Sequence, residues 1–141
     1  MEVPIGRSRL VMVGLAVALS ACGSSGTTTP TPTPTRTTDT FTGTLTQHGA
    51  VYHLFTVTQL GQVDITLTKT DPLATIILGL AITQTSGGQC IPTQLAFNNN
   101  ASASTAPQIS GTADVGAYCV SLYDIGNVAD PVNYTITVTH P

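Results

Sequence analysis

The chain has 141 residues, of which 8% are charged and 5% aromatic, with no tryptophan and a formal net charge of −3. That length suits one domain, and the lack of any basic cluster excludes a nucleic-acid binder that works by neutralising phosphates. Threonine, glycine, valine, isoleucine and leucine abound, which is the composition of β-sheet joined by short turns.

In chain order, the first element is an N-terminal leader. Arg7 and Arg9 precede the apolar run Leu10–Leu19, and the small residues Ser20 and Ala21 lead to Cys22. The run is too short to span a bilayer, which takes about 20 apolar residues. Leu19-Ser20-Ala21-Cys22 resembles the lipobox of bacterial lipoproteins. The resemblance implies that residues 1–21 are a signal peptide removed on export and that Cys22 is the lipidation site. Its sulfur would carry a diacylglycerol and its new amine an acyl chain such as palmitate. Two or more chains anchor stably where one holds only marginally. The expected location is the bacterial cell envelope, with the membrane as a partner through the lipid. Gly23 stands where an aspartate commonly retains lipoproteins in the inner membrane, so the outer membrane is expected where a cell has two.

Residues 22–39 read as a disordered tether. Gly23-Ser24-Ser25-Gly26 is followed by threonines alternating with Pro30, Pro32 and Pro34. No apolar side chain here can repay the entropy of ordering. The alternating prolines favour extended polyproline II, about 3.1 Å per residue. Beyond Cys22 the basic side chains are Arg36 and Lys69, against Asp39, Asp64, Asp71, Asp114, Asp124 and Asp130, a balance of −4.

From Thr40 to Pro141 the period is two. Phe41, Gly43 and Leu45 alternate with threonines; Val51, His53, Phe55 and Val57 alternate with Tyr52, Leu54 and Thr56. After a turn at Leu60-Gly61-Gln62, Val63, Ile65 and Leu67 form a third inward set, and Lys69 to Pro72 is read as a turn. Leu73–Thr83 is read as a buried central strand, with Ile76, Leu78, Leu80 and Ile82 on one face and Ile77, Gly79 and Ala81 on the other. Cys90–Phe97 is read as a strand interrupted by Pro92, Asn98–Ser104 as a polar loop tip, and Gln108–Ser110 as a short strand. Tyr118, Val120 and Leu122 alternate with Cys119, Ser121 and Tyr123. A loop from Asp124 to Pro131 leads to the closing alternation of Tyr134, Ile136 and Val138. About eight short strands with regular turns predict an all-β, antiparallel, jelly-roll-like β-sandwich.

Lipidation of Cys22 leaves Cys90 and Cys119 as a natural pair in an oxidising compartment. Two separate thiols or a metal pair are the alternatives, but zinc takes four ligands, which His48, His53 and His140 would have to complete. For hydrolysis, no Gly-x-Ser-x-Gly elbow accompanies those histidines. His53 falls in phase with core residues, His48 lies in a turn, and His140 is read as part of a frayed terminus. No catalytic residue and no cofactor are therefore expected. Asp124, Asn127 and Asp130 in one loop, with Asp71 elsewhere, carry oxygens suited to calcium. Their spacing departs from an EF-hand, and turn aspartates usually cap their own backbone. Tyr52 and Tyr123 fall opposite the inferred core and form a candidate ligand face, since aromatic faces stack on sugar rings and protein surfaces.

Two segments resemble a known family. Phe41-Thr-Gly-Thr-Leu45, Tyr52-His-Leu-Phe-Thr-Val57 and Leu60-Gly-Gln-Val-Asp-Ile-Thr-Leu67 resemble the opening of bacterial pre-peptidase C-terminal domains. Gly116-Ala-Tyr-Cys-Val-Ser-Leu-Tyr-Asp124 and Tyr134-Thr-Ile-Thr-Val138 resemble their final hairpin. The likeness implies a small β-sandwich of the kind appended to secreted peptidases, some of which bind collagen, carbohydrate or calcium. No peptidase sequence precedes the domain here, and Leu73–Thr83 lacks the aspartates often found there. The function expected is a non-enzymatic, membrane-anchored interaction or envelope-structural module. The alternative is an adhesin-like module for an extracellular or periplasmic protein or glycan, with a hydrolase third.

Overall fold

The computed structural model describes residues 33–141. The leader, Cys22 and the tether up to Pro32 lie outside the described residues. Alternating apolar and threonine-rich sequence forms eight strands: β1 (Thr37–Leu45), β2 (Ala50–Val57), β3 (Gly61–Asp71), β4 (Leu78–Ser86), β5 (Gln89–Ala101), β6 (Ile109–Ala113), β7 (Gly116–Tyr123) and β8 (Val132–His140). One sheet has the order β1-β8-β3-β6 and the other β2-β7-β4-β5. All neighbours are antiparallel. This interleaving of two four-stranded sheets is the jelly-roll arrangement, and it bears out the fold class read from the sequence.

The inward sets meet between the sheets. Leu45, Val57, Val63, Ile65, Leu67, Leu78, Leu80, Val120, Leu122, Ile136 and Val138 are buried there. Each such side chain contributes roughly 1.5–3 kcal/mol by leaving water. His53 lies half-buried at the core's edge, stacked on Phe41 with ring centroids 4.8 Å apart, and its Nε2 is hydrogen-bonded to the Tyr134 hydroxyl at 2.7 Å.

The structure corrects several local readings. Lys69 to Asp71, read as part of a turn, completes β3, paired with Thr135, Tyr134 and Asn133 past a bulge after Leu67. β1 starts at Thr37 rather than Thr40, because Thr37, Thr38 and Asp39 pair with His140, Thr139 and Val138. The strand expected from Leu73 starts only at Leu78: a turn from the Leu73 carbonyl to the Ile76 amide tucks Ile76 into the core and leaves Leu73 exposed. Asn98 to Ala101, read as a loop tip, continues β5. The Asn98 amide donates to the Gln108 carbonyl at 3.1 Å and its Oδ1 accepts from the Asn100 backbone at 2.8 Å. Asparagine's local hydrogen bonding, usually a loop signal, here serves a strand. Finally, His140 is not frayed. It is 5% exposed, and the Pro141 carbonyl accepts from the Thr58 amide at 3.0 Å.

Candidate functional site

The outer face of the β2-β7-β4-β5 sheet departs from the rest of the surface. Register places Tyr52, Ser121, Ala81 and Phe97 in one row across the four strands, and Leu54, Cys119, Thr83 and Gln94 in the next. The edge residues are large and exposed: Tyr52 at 39%, Leu54 at 47% and Phe97 at 60%. Between them, Ser121, Ala81 and Thr83 are small and buried although they point outward. Tyr52 and Phe97 stand about 14 Å apart, three strand spacings. The result is a shallow trough with apolar rims and a floor of short side chains.

Tyr123 closes one end. A Cβ built on Gly79 would lie 2.1 Å from the Tyr123 ring, so the ring lies across the β4 backbone where only glycine leaves room. Its hydroxyl donates to Asn99 Oδ1 at 2.5 Å. The disulfide closes the other end. Cys90 and Cys119 are joined with Cα atoms 5.8 Å apart. The broken register between Thr83 and Thr85 marks where β5 leaves the regular ladder beside the bridge. The Thr83 hydroxyl, paired across the ladder with Cys119, is buried with no hydrogen-bond partner among the described residues.

Of the residues singled out in the sequence, Tyr52 and Tyr123 share this face, on β2 and β7. Tyr52 projects, whereas Tyr123 is laid flat and pinned. Leu54, Phe97 and Asn99 complete the face and were not singled out. The signal that could have found Leu54 and Phe97 is apolar residues at outward positions that elsewhere carry threonine; Asn99 carries no such signal.

The other named groups do not join it. Asp124 accepts backbone hydrogen bonds at both oxygens: Oδ2 from His48, and Oδ1 from Gly126, Asn127 and Val128. Burial raises its carboxyl pKa, but these four amides outweigh that and hold it down at about 2. Asn127 donates to the Ile77 carbonyl at 2.9 Å, and Asp130 is exposed. The loop aspartate thus organises its own turn. Among the described residues, no group of three or more histidine, cysteine, aspartate or glutamate side chains is placed to hold a metal. One histidine–carboxylate pair does form, His140 Nε2 with Asp39 Oδ2 at 3.1 Å. It packs beside Phe55.

No family model matches the chain, and no curated protein does. Among solved structures, it is similar to the crystal structure of Aeromonas hydrophila PliG, a periplasmic lysozyme inhibitor of g-type lysozyme. Identity is 12% over 72% of this chain and 83% of that one, with a TM-score of 0.49.

Proposed function

We propose that this chain is a non-enzymatic envelope lipoprotein whose β-sandwich binds a protein partner through the outer face of the β2-β7-β4-β5 sheet. One observation carries the reading: Tyr52, Leu54 and Phe97 remain exposed on a face whose floor is already buried. Apolar rims around a short-chain floor suit insertion of a partner's side chains, and aromatic anchors dominate such interfaces. The lipobox resemblance at Cys22 supports the anchor. A cross-linking phenylalanine analogue at Leu54, in cells making the full chain, should give a discrete protein adduct that Phe97→Ser abolishes, whereas the same analogue at Thr137 gives none. Equal adducts at both positions would overturn the assignment of the face. Labelled palmitate should enter the wild type and not Cys22→Ser, and an unlabelled wild type that still pellets with membranes would remove the anchor.

A glycan-binding reading is favoured by one feature, the Tyr123 ring held flat over Gly79 and fixed by Asn99, since flat rings stack on sugars. Retardation of the full chain in polysaccharide gels, lost in Tyr123→Ser, would select it.

A further inference from the structure

Where the two sheets part between β5 and β6, the sandwich is not filled. The inward positions of β6 are Ile109, Gly111 and Ala113, paired with Ile65, Val63 and Gly61 of β3. A Cβ added at Gly111 would meet nothing within 4 Å. Opposite, the irregularity in β5 brings both Leu95 and Ala96 to the seam. Together with Phe55 and Ile82 they line a half-open cavity of about 290 Å³. Asn98 bonded to the Gln108 carbonyl shuts the seam at one end, and Asp114 lies at the mouth. A cavity of about 150 Å³ takes a benzene ring, so this one has room for a large apolar side chain.

The strand beside the cavity is also unprotected. Among the described residues β6 pairs only with β3, and its Ile-Ser-Gly-Thr-Ala sequence contains none of the lysine or proline that usually blunts a free edge. Its outward amides and carbonyls are available to another strand. The edge strand β1, by contrast, is preceded by Arg36 and contains Asp39, and β5 contains Pro92. Charge points to the partner's sign. Asp114 takes part in no ion pair among the described residues, and beyond Cys22 the chain carries six aspartates against two basic side chains.

We propose that β6 and this cavity are a strand-capture site for an extended segment of a cationic partner protein. The segment adds along the free edge of β6, sets one apolar side chain into the space above Gly111, and places a lysine or arginine beside Asp114. The site is separate from the Tyr52 face and stands or falls independently of it.

The test uses the isotopically labelled full chain and capped heptapeptides alternating valine and threonine, with a central phenylalanine flanked by lysine. Amide shifts confined to β6 and Asp114, with slowed exchange of β6 amides, are expected. Glutamate for lysine should weaken binding at least fivefold, and alanine for phenylalanine at least tenfold. Gly111→Leu should fill the cavity and abolish binding while leaving the melting temperature unchanged or higher, which separates blockage from unfolding. Tyr52→Ser should leave peptide binding unaltered. Absence of shifts at millimolar peptide, or undiminished binding to Gly111→Leu, overturns the proposal. So does binding of benzylamine in the cavity while every peptide is inert, which would make it a small-molecule pocket.

Discussion

On the β1-β8-β3-β6 sheet the outward positions are filled by threonine: Thr38, Thr40, Thr42 and Thr44 on β1, Thr66 on β3, and Thr135, Thr137 and Thr139 on β8. Some of these groups bond across strands. Thr38 and Thr139 hydroxyls meet at 2.9 Å, and Thr44 donates to Asn133 at 2.7 Å. Arg36 caps the same sheet by pairing with Asp64 at 2.6 Å. The outward side of the β2-β7-β4-β5 sheet follows the same alternation but presents tyrosine, leucine and phenylalanine around alanine and serine. Inner faces of both sheets are alike, because both must bury the same core. Outer faces are free to differ, and under the function proposed above the difference between them concerns contacts outside the domain.

The largest expected effect separates the sheets covalently. The disulfide ties β5 to β7 on the apolar face across a separation of 29 residues, a loop whose closure stabilises by about 3–4 kcal/mol in chain-entropy terms. The Cys90→Ser/Cys119→Ser double variant should lose that much in urea denaturation. The Thr40→Ala/Thr137→Ala double variant on the other sheet should stay within roughly 1 kcal/mol of wild type. Comparable losses would mean that the threonine face is as structural as the apolar one.

Next in size is Gly79→Val. Its Cβ would enter the space of the Tyr123 ring, costing about 1–3 kcal/mol by overpacking and breaking the Asn99 hydrogen bond. Tyrosine ring resonances in NMR spectra should show Tyr123 displaced. An unmoved ring would mean that the β4 backbone yields instead.

The pH dependence draws on groups between and beside the sheets. Asp124 is held at about 2, below its ordinary 3.8. The stability it contributes is therefore complete above about pH 4 and lost as pH falls from there towards 2. His53 behaves differently: burial lowers its pKa from 6.5. Below pH 6.5 the unfolded chain takes up that proton before the folded one, so stability falls as the solution is acidified. Acid titration of unfolding should show both limbs. Asp124→Asn should flatten the lower one and His53→Phe the upper.

How far the sequence discloses this molecule follows from what each pattern encodes. Alternation fixes which side chains face inward, so the core, the jelly-roll class and the facing of Tyr52 and Tyr123 were legible. So was the partnership of Cys90 and Cys119, since reading Cys22 as the lipid carrier leaves only these two to pair. Boundaries were less legible where long-range partners override local chemistry. Asn98 reads as loop until Gln108 supplies its acceptor, and His140 reads as terminal until Asp39 and Phe55 cover it. The trough was illegible for another reason. Phe97 joins Tyr52 only through Ala81 and Ser121, a row that spans β5, β4, β7 and β2 and depends on register, including the bulge beside Leu95. No local window contains that information.

The smallest stability effect belongs to the residues of greatest functional interest. Tyr52 and Phe97 stand on the two edge strands of their sheet, mostly outside the buried floor. Replacing Phe97, which is 60% exposed, with serine removes little buried area, so thermal unfolding should change by no more than about 0.5 kcal/mol. Tyr52, at 39%, is more than half covered, and its replacement should cost more, about 1 kcal/mol. An interface anchor behaves otherwise on binding, where truncating a central aromatic residue costs about 2 kcal/mol or more, roughly thirtyfold in affinity. Phe97→Ser should thus leave the melting curve in place, Tyr52→Ser should shift it slightly, and both should remove the cross-link made from position 54. A loss of stability above about 1 kcal/mol with the cross-link retained would assign these side chains to shielding Ala81 and Ser121. In that case the apolar face would be a second, outward core, and the contrast between the two sheets would concern folding after all.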